Sequence, residues 1–320
     1  MQKVLALLFA GMIPAMISAT DFTLKPTSPW KKTADDAAAI DYDGRKKVWP
    51  HLWLKTAEPL KPDTFYRITF DAKSSAPERA YCGFHAVIQG EKMRMYTIFF
   101  PAAEFRKYAF YFNSGEKPET GTANIYFDPT NAFQMEVKNL RLDEMTGESL
   151  FGKNLLPCGN FEEGNPFHSY KKELKDHLKI AEPSDFLSGE KSLLLDCRNG
   201  RVEIISDGLP ALPGKEIEVK FYAKSADAAQ IHVTLDFGKG SSGKHYYRSA
   251  RFRVEKEWKE CSCKFKISED LKTYPVLARH LANLRFGGMA AAGDGNAQIY
   301  LDGISYAILK DPAPQEGASK

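Results

Sequence analysis

One stretch of this chain occurs twice. Pro62-Asp63-Thr64-Phe65-Tyr66-Arg67-Ile68-Thr69-Phe70-Asp71-Ala72-Lys73-Ser74 aligns without a gap with Pro213-Gly214-Lys215-Glu216-Ile217-Glu218-Val219-Lys220-Phe221-Tyr222-Ala223-Lys224-Ser225. Two later stretches repeat in the same order. Ala123-Asn124-Ile125-Tyr126-Phe127 answers Ala282-Asn283-Leu284-Arg285-Phe286, and Met135 to Leu142 answers Ile299 to Tyr306. A period of about 150 residues is a domain and far exceeds a solenoid repeat. The chain must therefore fold as two copies of one architecture. We expect a divergent first domain over 20–146 and a second over 151–310. The polar, Gly-containing Met145-Thr146-Gly147-Glu148-Ser149 is the joint, and 311–320 is a disordered tail.

The repeated unit reads as all-β. Phe65 to Ala72, Tyr96 to Phe100, Tyr108 to Phe112, Gln134 to Leu142, Val202 to Ser206, Glu216 to Ala223, Gln230 to Phe237, Tyr246 to Val254 and Gln298 to Ile308 are short and rich in β-branched or aromatic residues. Turn-forming residues bound them. Alternation is strict in Ile231-His232-Val233-Thr234-Leu235-Asp236-Phe237, the pattern of a sheet with one buried face. Helical periodicity is weak. Ser169 to Ile180 and Tyr274 to Asn283 read as short helices, single turns or decorated loops.

At the N-terminus Lys3 precedes an apolar run from Val4 to Ile17 and the small residues Ser18-Ala19-Thr20. This is the form of a secretory (Sec) signal peptide over residues 1–19, without the cysteine that a lipoprotein needs at the cut. It predicts a secreted or periplasmic protein with no membrane span. The 44 basic and 41 acidic residues, net +3, are interspersed, which argues against a nucleic-acid partner. Five cysteines are an odd count: Cys82, Cys158, Cys197, Cys261 and Cys263. Cys158 and Cys197 are a candidate disulfide, with free buried thiols the equal alternative. Spacings for a zinc site are missing.

Asn154-Leu155-Leu156-Pro157-Cys158-Gly159-Asn160-Phe161-Glu162 resembles the opening strand of galactose-binding-like jelly rolls. More narrowly, the ordered set is similar to the tandem carbohydrate-binding modules attached to bacterial cellulases and xylanases. The set continues with Ser188-Gly189, Leu212-Pro213-Gly214 before a strand ending Ala223-Lys224, then Trp258-Lys259 and the closing Leu301-Asp302-Gly303-Ile304. The second domain carries it nearly throughout. The first lacks the opening and has Lys138-Asn139 where an acid is expected. The resemblance implies two tandem β-sandwich jelly rolls. It also implies a structural Ca²⁺ in the second, held by Glu162, Asp302 and the backbone around Asn160 and Gly189. Trp258 is implied to pack between sheets.

Sugar recognition needs ring faces for stacking and a few polar groups for hydroxyls. Trp49, His51 and Trp53 share one face if Val48 to Leu54 is a strand, confined by Pro50 to an edge or bulge. Set against them in the second domain, Val202 and Ile204 look like core, so the tryptophans read as platform or as packing. Arg94 and Tyr96 are a second pair at alternate positions. In the second domain His232 and Asp236 share a face with Thr234, as Tyr246 and Arg248 do with Phe252.

Catalytic signatures are scarce. Glu162 and Glu163 are adjacent, so on a strand they point apart and form no acid/base pair. Gly-x-Ser-x-Gly and His-Glu-x-x-His do not occur. The reading is a non-catalytic carbohydrate-binding protein that takes a polysaccharide or glycan and works beside separate catalytic enzymes. A structural or adhesive envelope protein with jelly-roll spacers and a jelly-roll polysaccharide lyase are the alternatives.

Overall fold

The computed structural model describes residues 20–42, 50–75, 82–88, 94–99, 101–116, 121–127, 133–163, 165–168, 178–180, 187, 189–198, 200–239, 245–269, 280–291 and 297–310. The expected signal segment 1–19 and tail 311–320 lie outside them. In the first half the strands are β1 Phe22–Pro26, β2 Lys31–Ala34, β3 Ala37–Tyr42, β4 His51–Thr56, β5 Phe65–Ser74, β6 Cys82–Ile88, β7 Arg94–Phe99, β8 Arg106–Asn113, β9 Gly121–Phe127 and β10 Phe133–Met145. A single helical turn, α1 Gly147–Leu150, follows. The second half has β11 Phe167–His168, β12 Leu178–Ile180, β13 Leu193–Asp196, β14 Val202–Pro210, β15 Glu216–Lys224, β16 Ala229–Lys239, β17 His245–Val254, β18 Lys259–Lys266, β19 Leu281–Ala290 and β20 Gln298–Ile308.

These strands form four five-stranded sheets, ordered β1-β4-β9-β6-β7, β2-β3-β10-β5-β8, β11-β14-β19-β16-β17 and β12-β13-β20-β15-β18. Adding ten to each strand number of the first pair reproduces the second pair. All pairings between named strands are antiparallel, and each pair of sheets closes as a jelly-roll sandwich. The duplication in sequence is thus a duplication of topology.

Alternation explains the packing. In β15, Ile217, Val219, Phe221 and Ala223 are buried while Glu218, Lys220, Tyr222 and Lys224 are not. β5 repeats this with Ile68, Phe70 and Ala72 against Arg67, Thr69, Asp71 and Lys73. Each large apolar side chain so buried contributes about 1.5–3 kcal/mol. Phe221 meets Phe252 and Phe286 edge-on at 5.3 and 5.1 Å; Phe70 meets Phe99 edge-on at 5.4 Å.

The two sandwiches touch along the β8 edge. The buried Tyr111 hydroxyl donates to Leu155 O at 2.7 Å, and Lys107 pairs with Glu163 at 3.1 Å. These contacts cover an edge strand that would otherwise offer unpaired backbone groups. The joint at Met145–Ser149 has regular structure. β10 runs through Met145, and Thr146 starts a helical turn that buries Leu150.

Two local expectations change, and one open alternative is decided. Asn154 to Glu162 is not a strand but a series of turns, with Cys158 and Phe161 at φ 54° and 62°. Asn154 Oδ1 accepts the N–H groups of Leu156 and Tyr306, both at 3.0 Å, and this side-chain competition keeps the segment out of a ladder. Glu162 and Glu163 are therefore not alternating strand positions. Where Ser169 to Ile180 and Tyr274 to Asn283 are described, they form strand β12 and, after a turn at His280, the start of strand β19. Cys158 and Cys197 are both free, as are Cys261 and Cys263. Burial pushes the Cys158 and Cys197 thiols up to about 11 and the Cys263 thiol to about 12.

Candidate functional site: the outer sheet faces

On β4 the core takes Leu52, Leu54 and Thr56, which turns His51, Trp53 and Lys55 outward. The half-buried His51 and Trp53 rings lie 5.1 Å apart, tilted by 32°. Thr27 pins this end of the strand. Its hydroxyl accepts the His51 N–H at 2.8 Å, and its own N–H donates to His51 O at 2.8 Å.

Register carries the face across the sheet. Trp53 lies opposite Lys25 and Asn124, Asn124 opposite His85, and His85 opposite Tyr96. Opposed residues in antiparallel strands belong to the same face. Trp53 and Tyr96, far apart in sequence, are thus the arms of one row, about 14 Å apart over three strand spacings. Arg94 is in the next row on that face, with Val87, Thr122 and Lys55. Trp49 lies outside the described residues.

The register also corrects an alignment. Ala123–Phe127 matches Ala282–Phe286, so Tyr126 and Arg285 are equivalent. His51 pairs with Tyr126, and Ile205 pairs with Arg285. The counterpart of His51 is therefore Ile205, and Trp53 falls against Gly208 beyond a bulge. Val202 and Ile204, the core residues set against them in the sequence reading, lie three and four residues before these counterparts.

The second sandwich presents a different chemistry on the equivalent face. His232, Thr234 and Asp236 line the outer side of β16, as the alternation predicts. They oppose Gly287, Arg285 and Asn283 on β19 and Arg251, Ser249 and Tyr247 on β17. Arg285 bridges Asp236 and Glu203, the latter at 3.1 Å. Asp236 is held by that ion pair and by the Gly238 N–H at 2.8 Å, and its side chain is only 6% exposed. Arg201 reaches Glu203 at 3.4 Å and lies across Gly287, where a Cβ would come within 2.9 Å of its Nη2. Burial, then Arg251 and Arg201, depress the His232 pKa; among the described residues its Nε2 and the Arg285 Nε have no hydrogen-bond partner.

Sequence reasoning missed Arg201, Glu203, Arg285, Arg251 and Arg253. The alternation Arg251-Phe252-Arg253 was a usable signal; the meeting of four strands was not. Tyr246 and Arg248 do share a side with Phe252, but it is the core side. Tyr246 packs on Phe237 at 5.3 Å and Phe252 on Phe221.

The four residues implied for calcium are all near one loop. Glu162 Oε1 accepts the N–H groups of Glu190 and Lys191 at 2.8 and 2.9 Å and touches Gly189. Asp302, wholly buried, accepts the Leu187 N–H at 3.0 Å and the Gly303 N–H at 2.6 Å. Asn160 Oδ1 accepts the Glu162 N–H at 3.4 Å. The Lys191 ammonium stands 3.0 Å from Glu162 O, a carbonyl suited to a cation. The two carboxylates thus tie the loop at 187–191 to the first segment and the last strand with backbone N–H groups. Among the described residues no cluster of three metal-binding side chains forms.

Trp258 does not pack between the sheets as the resemblance implied. It is half-buried beside β18, with the Lys224 ammonium 5.2 Å above its ring. A cleft of about 230 Å³ lies between the sandwiches, walled by Arg106, Tyr108, Phe167 and Asp207. It is smaller than the roughly 300–1,000 Å³ usual for a ligand pocket. Among the described residues no helix is long and apolar enough to cross a membrane.

The chain matches no protein-family model, and no curated protein is similar to it. Among solved structures it is similar to the N-terminal CBM22-1–CBM22-2 tandem domain of Paenibacillus barcinonensis Xyn10C, at 11% identity over 91% of this chain and 92% of that one, TM-score 0.35. It is also similar to a Family 16 Carbohydrate Binding Module-2, at 14% identity over 48% of this chain and 99% of that one, TM-score 0.36. A third is TmCBM61 in complex with β-1,4-galactotriose, at 16% identity over 49% and 99%, TM-score 0.36.

Proposed function

We propose that this chain is an exported, non-catalytic glycan-binding protein that presents its ligand surfaces on the outer sheet faces of two tandem sandwiches. The observation that carries the reading is the row Lys25, Trp53, Asn124, His85, Tyr96 across five strands. Beyond Lys25 the row holds Trp53, Asn124, His85 and Tyr96, residue types that stack on pyranose faces and bond sugar hydroxyls. Trp53 is half-buried on this row, on the side of β4 turned away from the core residues Leu52 and Leu54.

Binding to a polysaccharide captures substrate for enzymes encoded elsewhere, and no bond is broken by this chain itself. Export through the 1–19 segment places it in the periplasm or outside the cell. A calcium ion at Glu162 and Asp302 is the metal we propose to test, although their oxygens already accept N–H groups.

The test is affinity electrophoresis of the mature chain through gels containing plant, algal and host polysaccharides. At least one neutral polysaccharide should retard it, and Trp53→Ala should weaken that retardation about tenfold, the loss of one good stacking contact. Free passage through the whole panel, acidic and neutral, would refute the reading in favour of a spacer protein.

A further inference from the structure

The outer face of the second sandwich carries charge that the first reading leaves unused. Four guanidinium groups, Arg201, Arg251, Arg253 and Arg285, share it with two carboxylates, Glu203 and Asp236. Both carboxylates are engaged by Arg285, which stands between them. Arg201 is left with the more distant share of Glu203, and its side chain is half exposed. Arg251 and Arg253 are exposed on the edge strand β17, opposite His232 and Gln230. Glu255, the acid near Arg253, is already bonded to Lys259 at 2.8 Å.

The relief of this face suits an extended ligand. On the β19 side Arg285 stands opposite Thr234 and Arg201 covers Gly287, while the small Thr234 and Ser249, paired on β16 and β17, form a low floor. Arg251 and Arg253 stand along one side of it. Tyr247 stands on the other, 57% exposed and so available for stacking. Along β17 the step from Tyr247 to Arg251 is about 14 Å. Guanidinium groups grip carboxylate and sulfate in a two-pronged fashion and do little for a neutral hydroxyl face that an indole would not do better. The depressed His232 pKa, partly the work of Arg251 and Arg201, agrees with a face of positive potential.

We propose that this face binds an acidic polysaccharide, one with carboxylate or sulfate groups along a pyranose chain. Arg251, Arg253 and Arg201 hold the anionic groups and Tyr247 stacks on a ring. The proposal rests on the glycan-binding reading above and narrows its ligand class. The two sandwiches then divide the work: an aromatic row for neutral rings, a guanidinium face for charged ones.

The experiment is affinity electrophoresis of the full chain in polygalacturonate, in dextran sulfate and in neutral β-1,4-galactan, at low and raised sodium chloride, with duplex DNA as a competitor. Retardation by at least one acidic polymer is expected, weakening with salt because the contacts are ionic. Which of the two acidic polymers is retained identifies the anionic group. The double variant Arg251→Gln/Arg253→Gln, at exposed edge positions, should weaken that retardation at least tenfold and leave any retention of the galactan unchanged. Retention of neutral polymers alone, or an unaffected double variant, overturns this proposal while leaving the glycan reading intact. Competition by DNA as effective as by the acidic glycan also overturns it, since sugar recognition would then play no part. Retention of no polymer at all removes both.

Discussion

The two sandwiches solve one backbone problem in two chemical ways. Their last strands β10 and β20 bulge at the same place against β5 and β15, and the equivalent residues Asn139 and Gly303 sit at φ 54° and 56°. Asparagine and glycine are the residues that tolerate this conformation. In the first sandwich the Asn139 side chain donates to Asp71 at 2.5 Å, and the neighbouring Lys138 lies 3.8 Å over the Phe105 ring. In the second, Gly303 leaves room for the Tyr222 ring, and the neighbouring Asp302 turns inward to hold a loop. The bulge dictates one residue and leaves the next open to choice. The outer faces repeat the lesson: identical strand order carries a row with Trp53 and Tyr96 on one sandwich and guanidinium groups on the other.

The equivalence is tested hardest in the core. Phe70→Ala and Phe221→Ala should each cost about 3–5 kcal/mol in urea denaturation, because both rings are sealed among other rings. A cost below about 1 kcal/mol for Phe70 would show that the first sandwich packs loosely and break the parallel. The bulge neighbours should differ next. Asp302→Ala strips two part-buried N–H groups of their acceptor and should cost about 1–3 kcal/mol. Lys138→Ala loses a surface cation–π contact worth about 0.5–1 kcal/mol. Equal losses at the two positions would mean that Asp302 does not hold the loop.

Calcium sharpens the same comparison. With the Glu162 and Asp302 oxygens already accepting N–H groups, added calcium should leave Tm unchanged within about 2 °C; a larger rise reversed by chelation would put an ion in the second sandwich alone. The smallest effect is electrostatic. The folded His232 titrates below its ordinary 6.5, so between these two values the unfolded chain holds more protons than the folded one. Stability therefore rises with pH across that window and falls as pH drops through it. His232→Gln should show a slightly shallower decline in Tm below pH 6.5, and an identical slope would remove the histidine from the account.

Much of this was legible in the chain because local rules were followed without conflict. The gapless match of Pro62–Ser74 to Pro213–Ser225 required two like units, and alternation in Ile231 to Phe237 placed His232 and Asp236 on one outer face. Period-2 patterning survives folding because each strand has one wet side. The opening segment at Asn154 was misread because a side-chain acceptor outcompeted the ladder there, a contest that composition does not record. Whether Trp53 is platform or packing stayed open in the sequence for a related reason. A bulge between Ile205 and Gly208 shifts one copy by a residue, and only a pairing partner reveals which side a strand shows.

Architecture, repetition and the parity of each strand were therefore written in the order of residues, since hydrophobic alternation and turn chemistry act over a few neighbours. Which strands lie side by side was settled only by the closed sandwich. Trp53 shares a row with Tyr96, and Arg285 reaches both Glu203 and Asp236, through contacts between segments dozens of residues apart. Such meetings depend on register across sheets, a property no single strand carries.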